Sequence, residues 1–253
     1  MSTTLVAIGI FLLFNLVAIA SVAFSHYKKW RIDLTQYRHY TATVFNICGV
    51  VYALFLGFII WDVWERYYDM KKLVHEEAAA LTNLARDVTV LPEQGEEGVQ
   101  GAIRAYLSEM AHIDWRELEH KSNLSRRDAL VNKIWEAYYA YSPTTPEETI
   151  WYTAGIEQLN HFSQARSNRL FEGESTVGPL RWALLIFGGL VLISIPCFFR
   201  VEYFTFKLIL TLFLANIVAF MLFITYSLDH PFSGYRRIDS YPFQYALKVI
   251  QPW

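Results

Sequence analysis

Long apolar blocks interrupted by one polar stretch organise this chain. Residues 5–24, 43–61, 180–199 and 204–228 are almost free of charge. Each is about the 20 residues that a helix needs to cross a hydrocarbon core. Asn15 is the strongly polar interruption of the first block, Asp62 ends the second, and Pro196 near the end of the third suggests a kink or exit. Lys207, at the start of the fourth, is placed to snorkel. Tyr27, Trp30, Trp61, Trp64, Trp182, Tyr203 and Tyr226 crowd the block ends, as an aromatic belt would. Ala18-Ile19-Ala20 resembles a cleavage site. No basic residue precedes the first block, however, while Lys28, Lys29 and Arg31 follow it, so it reads as a retained helix.

The stretch between the second and third blocks has a helical period. Met70, Val74, Leu81, Leu84 and Val88 fall on one face at 3–4 spacing. The helix they predict continues from the second block to about residue 90 and stops at Pro92. A further helix leads from Gly95–Gly101 to about residue 118. Ser125 with Asp128 three residues later reads as a capping box opening another, to Tyr141. Thr145-Pro146-Glu147-Glu148 is a stronger start: N-cap, proline at the first position, acids in the first turn. That helix runs to about Phe171 and ends at Gly173. No stretch alternates with period two. The predicted fold is all-α: four transmembrane helices with a helical soluble insert between helices two and three. Residues 1–62 carry the first two spans, 63–178 the soluble domain, 179–228 the last two spans and 229–253 a C-terminal tail.

Composition agrees with this plan. Of 253 residues, 54% are hydrophobic and 18% charged, whereas a soluble domain sits near about 25% charged. Net charge is −2, but unevenly spread: residues 63–178 carry 19 acids and 12 bases, net −7, and the rest 5 acids and 10 bases, net +5. Without a basic run there is no case for a nucleic-acid partner. Cys48 and Cys197 both lie in apolar runs, which excludes a disulfide scaffold and a Cys-rich zinc site. No HExxH, P-loop, GxSxG or GxGxxG pattern occurs, so neither an enzyme nor a cofactor is expected. The partner to expect is the lipid bilayer. Orientation is not settled by charge: Lys28, Lys29, Arg31 and Arg38 crowd the first loop, against Arg66, Lys71, Lys72, Arg236 and Arg237 on the other side.

Residues 54–74 read LFLGFIIWDVWERYYDMKKLV. This resembles the second-helix signature of bestrophins: an apolar run, Gly57-Phe58, then a Trp- and Tyr-rich patch with Arg where the helix leaves the membrane. After the fourth span comes Asp229-His230-Pro231-Phe232-Ser233-Gly234, where bestrophins have a Pro-Phe-Gly turn. Together with Glu76-Glu77-Ala78, these motifs look like the bestrophin-like family of unknown function found in bacteria and plants. The order of two spans, helical insert, two spans and short tail agrees over nearly the whole chain. The resemblance implies a homo-oligomer, a pentamer around a central pore, with inorganic ions as partners. Each subunit would line the pore with its second helix, and the insert would form a cytosolic vestibule. It also implies a multi-pass protein of the bacterial inner membrane, with insert and termini cytoplasmic. One departure is clear: animal bestrophins follow their turn with an acidic calcium-binding run, and here Tyr235-Arg236-Arg237-Ile238-Asp239 follows, so no calcium clasp carries over.

Individual residues then sort by spacing and chemistry. Gly49, Ala53 and Gly57 recur every four residues and give the second helix a small-residue face suited to close packing. Alignment on Gly57-Phe58 brings the apolar neck of bestrophins onto Val50, Leu54 and Phe58, one stripe that either constricts a pore by dewetting or faces lipid. Asn46 and Asn216 are intramembrane amides, suited to interhelical hydrogen bonding or, for Asn46, to the pore. Asp62 and Glu65, at the helix exit, either form charged rings or pair with Arg66, Lys207 or Arg236. His75, Glu76 and Glu77 are adjacent on a helix and do not face together. Glu117 and His120 supply only one of the two motifs that a di-metal bundle needs, so no metal site is predicted. Asp229, Pro231, Phe232 and Gly234 read as a structural turn that locks the end of helix four. The function these features favour is an oligomeric ion channel lined by helix two, with a weak lean to cations. The alternative is a non-conducting membrane scaffold or sensor whose helical domain binds a partner.

Overall fold

The computed structural model describes residues 3–27, 38–113, 115, 124–173, 176–198 and 203–250. Among the described residues the regular structure is helical, without strands. The helices are α1 (Thr3–Tyr27), α2 (Arg38–Asp87), α3 (Glu93–His112), α4 (Leu124–Tyr139), α5 (Pro146–Glu172), α6 (Pro179–Ser194), α7 (Phe204–Asp229) and α8 (Tyr241–Ile250). Short 3₁₀ turns follow α2 at Val88–Val90 and α6 at Ile195–Phe198. The chain folds into two compact units, residues 1–65 with 176–230, and residues 66–175 with 231–253.

The first unit holds the four apolar helices. α1, α7, α6 together with its 3₁₀ turn (Pro179–Phe198) and the stretch Ala42–Val90 that begins in α2 are long and apolar enough to span a bilayer. α1 packs along α7 through Phe14, Ala18 and Val22 against Ala215, Val218, Ala219 and Leu222, all buried. Small residues at that seam let the backbones approach closely. Asn15 and Asn216 exchange side-chain hydrogen bonds at 3.2 and 3.1 Å, and each also donates to a carbonyl of its own helix. Asn216 thus takes the interhelical role foreseen for it. Gly189 of α6 marks a close crossing of several helices: a Cβ there would lie 2.9 Å from Phe14 and from the Tyr52 hydroxyl and 3.0 Å from Val218. Only glycine admits helices from three directions at that point. Pro196 closes α6 with the 3₁₀ turn, the exit its sequence suggested.

Lys207 departs from expectation. It is 7% exposed, and its Nζ donates to Ser25 Oγ at 2.7 Å and to the Cys197 carbonyl at 3.4 Å. A snorkelling side chain would reach outward. This one turns inward because the end of α1 and the turn after α6 supply oxygens within reach.

The second unit is a helical domain with its own core. Met70, Val74, Leu81, Leu84 and Val88, the predicted face of α2, are all at most 1% exposed. They meet Ile103, Tyr106, Leu107 and Met110 of α3, Ile134 and Tyr138 of α4, Leu159 and Phe162 of α5, and Phe243 and Ile250 of α8. α5 opens with the predicted capping box: Glu148 N–H donates to Thr145 Oγ1 at 3.1 Å, and the Glu148 carboxylate accepts from Thr145 N–H at 3.4 Å. Bonds from the Thr144 backbone and the Tyr141 hydroxyl hold that carboxyl down at about 2. The weaker box is not where expected. α4 already begins at Leu124, so Ser125 lies inside its first turn, and Asp128 pairs instead with Arg166 of α5. α3 ends at His112, before the expected Leu118.

Candidate functional site

α2 divides its span between two opposite faces. Tyr52, Leu56, Ile59 and Val63 are at most 8% exposed and pack within the first unit. The Tyr52 hydroxyl donates to the Leu185 carbonyl of α6 at 3.1 Å. Its ring lies on Gly188, where a Cβ would come within 2.8 Å. The other face is apolar and uncovered: Val50 and Leu54 are each 59% exposed, Phe58 70% and Trp61 69%. At about 100° per residue, Leu54 and Trp61 point roughly opposite the buried line, with Val50 and Phe58 beside them. Asn46 is exposed on the same side.

The small residues lie on one flank between these faces. Ala53 and Gly57 are exposed, and a Cβ on Gly57 would meet no atom within 4 Å. A Cβ on Gly49 would touch only Leu192, at 3.9 Å. Within the subunit, Gly57 therefore has no close-packed helix against it. The opposite flank borders an apolar groove of about 430 Å³ between α2 and α6, lined by Ile47, Val51, Phe55, Leu184, Phe187 and Val191 among others.

The two acids at the end of the span differ. The Asp62 carboxylate accepts from Arg181 Nη1 of α6 at 3.1 Å, a partner that was not among the cations expected for it. Glu65 is exposed.

The residues expected to form the turn after α7 are buried or hydrogen-bonded. Asp229 is 5% exposed and accepts from the Val177 backbone at 2.8 Å and from Trp182 Nε1 at 3.3 Å, which joins the end of α7 to the start of α6. The Pro231 carbonyl accepts from Ile238 N–H at 2.8 Å and closes the loop. Phe232 is 2% exposed and packs on Trp115, their ring centroids 5.6 Å apart. Gly234 is buried beside it in sequence.

Sequence reasoning missed the polar centre of the second unit. Glu77 is fully buried and accepts from Arg169 Nε at 2.6 Å and Nη2 at 3.2 Å, and from the Tyr106 hydroxyl. Arg169 is 2% exposed. Burial disfavours its charge, but the Glu77 carboxylate outweighs that and holds the guanidinium above its ordinary range. Burial and the same carboxylate push the Tyr106 hydroxyl up. Its neighbour Glu76 is exposed and makes only a 3.7 Å contact with Lys72. The one signal in the sequence was period: Glu77 falls on the same side as Met70, Val74, Leu81 and Leu84. Among the described residues no three His, Cys, Asp or Glu side chains cluster; Glu117 and His120 lie outside the described residues.

These features can be set beside known proteins. The family model described as "Bestrophin-like domain" matches residues 13–243. No curated protein matches the chain. Among solved structures, a bacterial bestrophin homologue from Klebsiella pneumoniae superposes with a TM-score of 0.72 at 16% identity, covering 97% of each chain. A variant of that homologue gives 0.74 at 15% identity, again over 97% of each chain. A crystal structure described only as a membrane protein gives 0.73 at 16% identity and the same coverage. At such identities the likeness is one of fold, and the fold is that of bestrophins. With four apolar helices long enough to span and a family model covering almost the whole sequence, this integral membrane protein belongs to the bestrophin-like family.

Proposed function

We propose that the protein is a homo-oligomeric ion channel, a pentamer, in which α2 of each subunit faces a central axis and Val50, Leu54 and Phe58 form the apolar neck. The observation that carries this reading is the division of α2. One face is anchored inside its own subunit, and the opposite face presents large apolar side chains that are 59–70% exposed. Exposed apolar surface on a spanning helix meets lipid, a neighbouring chain or a narrow pore. α2 is the helix on which the bestrophin resemblance puts the neck. A ring of such side chains gates by dewetting rather than by filling the pore. The Gly49/Ala53/Gly57 flank, uncovered at Ala53 and Gly57, suits the seam between adjacent copies, because small residues permit close helix approach and a closed ring brings one flank of each subunit against the other flank of the next. In the same reading, Asn46 faces the pore, the second unit is the cytoplasmic vestibule, and the protein resides in the bacterial inner membrane.

The seam gives a direct test. Gly57→Leu adds a side chain where the subunit itself has open space within 4 Å, so the isolated fold tolerates it. Assembly is expected to shift to smaller species in light scattering coupled to size exclusion. An unchanged pentamer-sized peak would remove Gly57 from the seam.

A second reading, a non-conducting scaffold, is favoured by one observation. In the second unit Tyr139 is 61% exposed, Ile150 68% and Trp151 38%, apolar surface of the kind partners cover.

A further inference from the structure

The two segments through which the chain passes from its spans into the second unit differ in charge from the rest of that unit. Residues 66–72 and 231–253 together carry 6 bases and 2 acids, net +4. Residues 73–175 carry 9 bases and 17 acids, net −8. Of the 2 acids in the basic segments, Asp239 accepts from Tyr241 N–H at 3.2 Å at the start of α8, and Asp69 is exposed. Lys72 is partly offset by Glu76, 3.7 Å away.

Tyr235, Arg236 and Arg237 are consecutive exposed side chains between buried Gly234 and buried Ile238. The bond from Ile238 N–H to the Pro231 carbonyl at 2.8 Å pins the loop that carries them. Tyr235 is 78% exposed. Tyr241 and Tyr245 of α8 are 61% and 59% exposed, with their rings stacked at a centroid distance of 6.3 Å. Arg236 lies within electrostatic reach of Tyr67 of α2, so this loop and the exit of α2 share one face. Tyr67 stands about 9 Å along the helix from Trp61, where the second apolar block ends. A headgroup layer is about 5–8 Å deep on each side of a bilayer, so the face adjoins the lipid headgroups. Tyrosine suits that level because its body is apolar and its tip polar. Guanidinium groups suit it because their paired N–H groups match phosphate oxygens. A unit with this charge division is drawn to an anionic leaflet by its basic segments and repelled by the remainder.

We infer that this face is a binding surface for anionic phospholipid. Arg236 and Arg237, with Arg66 and Lys71 of α2, take the phosphate oxygens of headgroups in the adjoining leaflet, and Tyr235 and Tyr241 sit among those headgroups. The inference needs the membrane spans but not the channel reading.

Native mass spectrometry of the full-length protein reads the preference directly, after exchange into mixed micelles holding equal amounts of phosphatidylglycerol and phosphatidylcholine with the same acyl chains. The parent is expected to retain phosphatidylglycerol several-fold over phosphatidylcholine. Each basic side chain near an anionic surface contributes about fivefold in affinity, so Arg236→Gln combined with Arg237→Gln should lower the preference by about fivefold or more. Arg236→Lys combined with Arg237→Lys should retain most of it. Arg86→Gln combined with Lys133→Gln, which removes as many exposed bases from residues 73–175, should leave it unchanged. Equal retention of the two lipids by the parent overturns the inference. So does an unmoved preference in the Arg236/Arg237 glutamine variant, or an equal loss in the Arg86/Lys133 variant. A glutamine variant that keeps its preference but falls apart into smaller species makes the face an interface between copies, which overturns it too. Should the double glutamine variant fail to fold, Arg236→Gln and Arg237→Gln taken singly decide by the same criterion.

Discussion

Shortening Val50, Leu54 and Phe58 together to alanine is expected to raise single-channel conductance several-fold while leaving the subunit folded. The three side chains are 59%, 59% and 70% exposed in the subunit, so truncation opens no cavity in its own core. In a ring, the same truncation widens the narrowest apolar segment. Dewetting depends steeply on radius and lining, so the barrier to ion passage falls. Leu56 is the matching control. It lies on the opposite face at 7% exposure, so Leu56→Ala should cost about 2–5 kcal/mol of stability without widening the pore. Equal currents from the triple variant and the parent in bilayer recordings would mean that the stripe faces lipid.

The largest expected loss of stability comes from Glu77→Gln. Glu77 is fully buried and bound through two oxygens by Arg169, itself 2% exposed. Removing the negative partner leaves a guanidinium without its counter-charge in the core of the second unit. Breaking a buried ion pair from one side costs about 3–5 kcal/mol, whereas replacing both partners with packed apolar groups is often neutral. Thermal unfolding should therefore show a large drop for Glu77→Gln and partial recovery in Glu77→Gln combined with Arg169→Met. Glu76→Gln, one residue away, should change stability by less than about 1 kcal/mol, because its contact with Lys72 is solvent-exposed. Equal melting temperatures for the Glu76 and Glu77 variants would contradict this account of the core.

The contrast between Glu76 and Glu77 shows where sequence reasoning ran out. The spans were legible because crossing a bilayer requires only length and apolar composition, both written locally. The Met70–Val88 face and the Thr145 cap were legible for the same reason: period and cap chemistry are properties of neighbouring residues. The stripe Val50, Leu54, Phe58 emerged as a stripe from its spacing, but spacing is silent on which side of a helix its own subunit covers. The burial of Tyr52, Leu56, Ile59 and Val63 answers that, and Tyr52 does so through Gly188 and Leu185, more than 120 residues away. Polar partners were hidden by the same distance. Arg181 is 119 residues from Asp62, Arg169 is 92 from Glu77, and Asn216 is 201 from Asn15. The Ser125–Asp128 pattern failed because a carboxylate that fits a cap also fits a guanidinium. Arg166 of α5 was the partner that tertiary packing supplied.

The most direct measurement of the central claim is the arrangement of subunits around a symmetry axis in detergent-solubilised particles, resolved well enough to identify the innermost helix. The account predicts five copies with α2 nearest the axis, and with Val50, Leu54 and Phe58 forming the narrowest ring. A monomer or dimer without an axial passage, or a ring with α1 or α7 innermost, would contradict it.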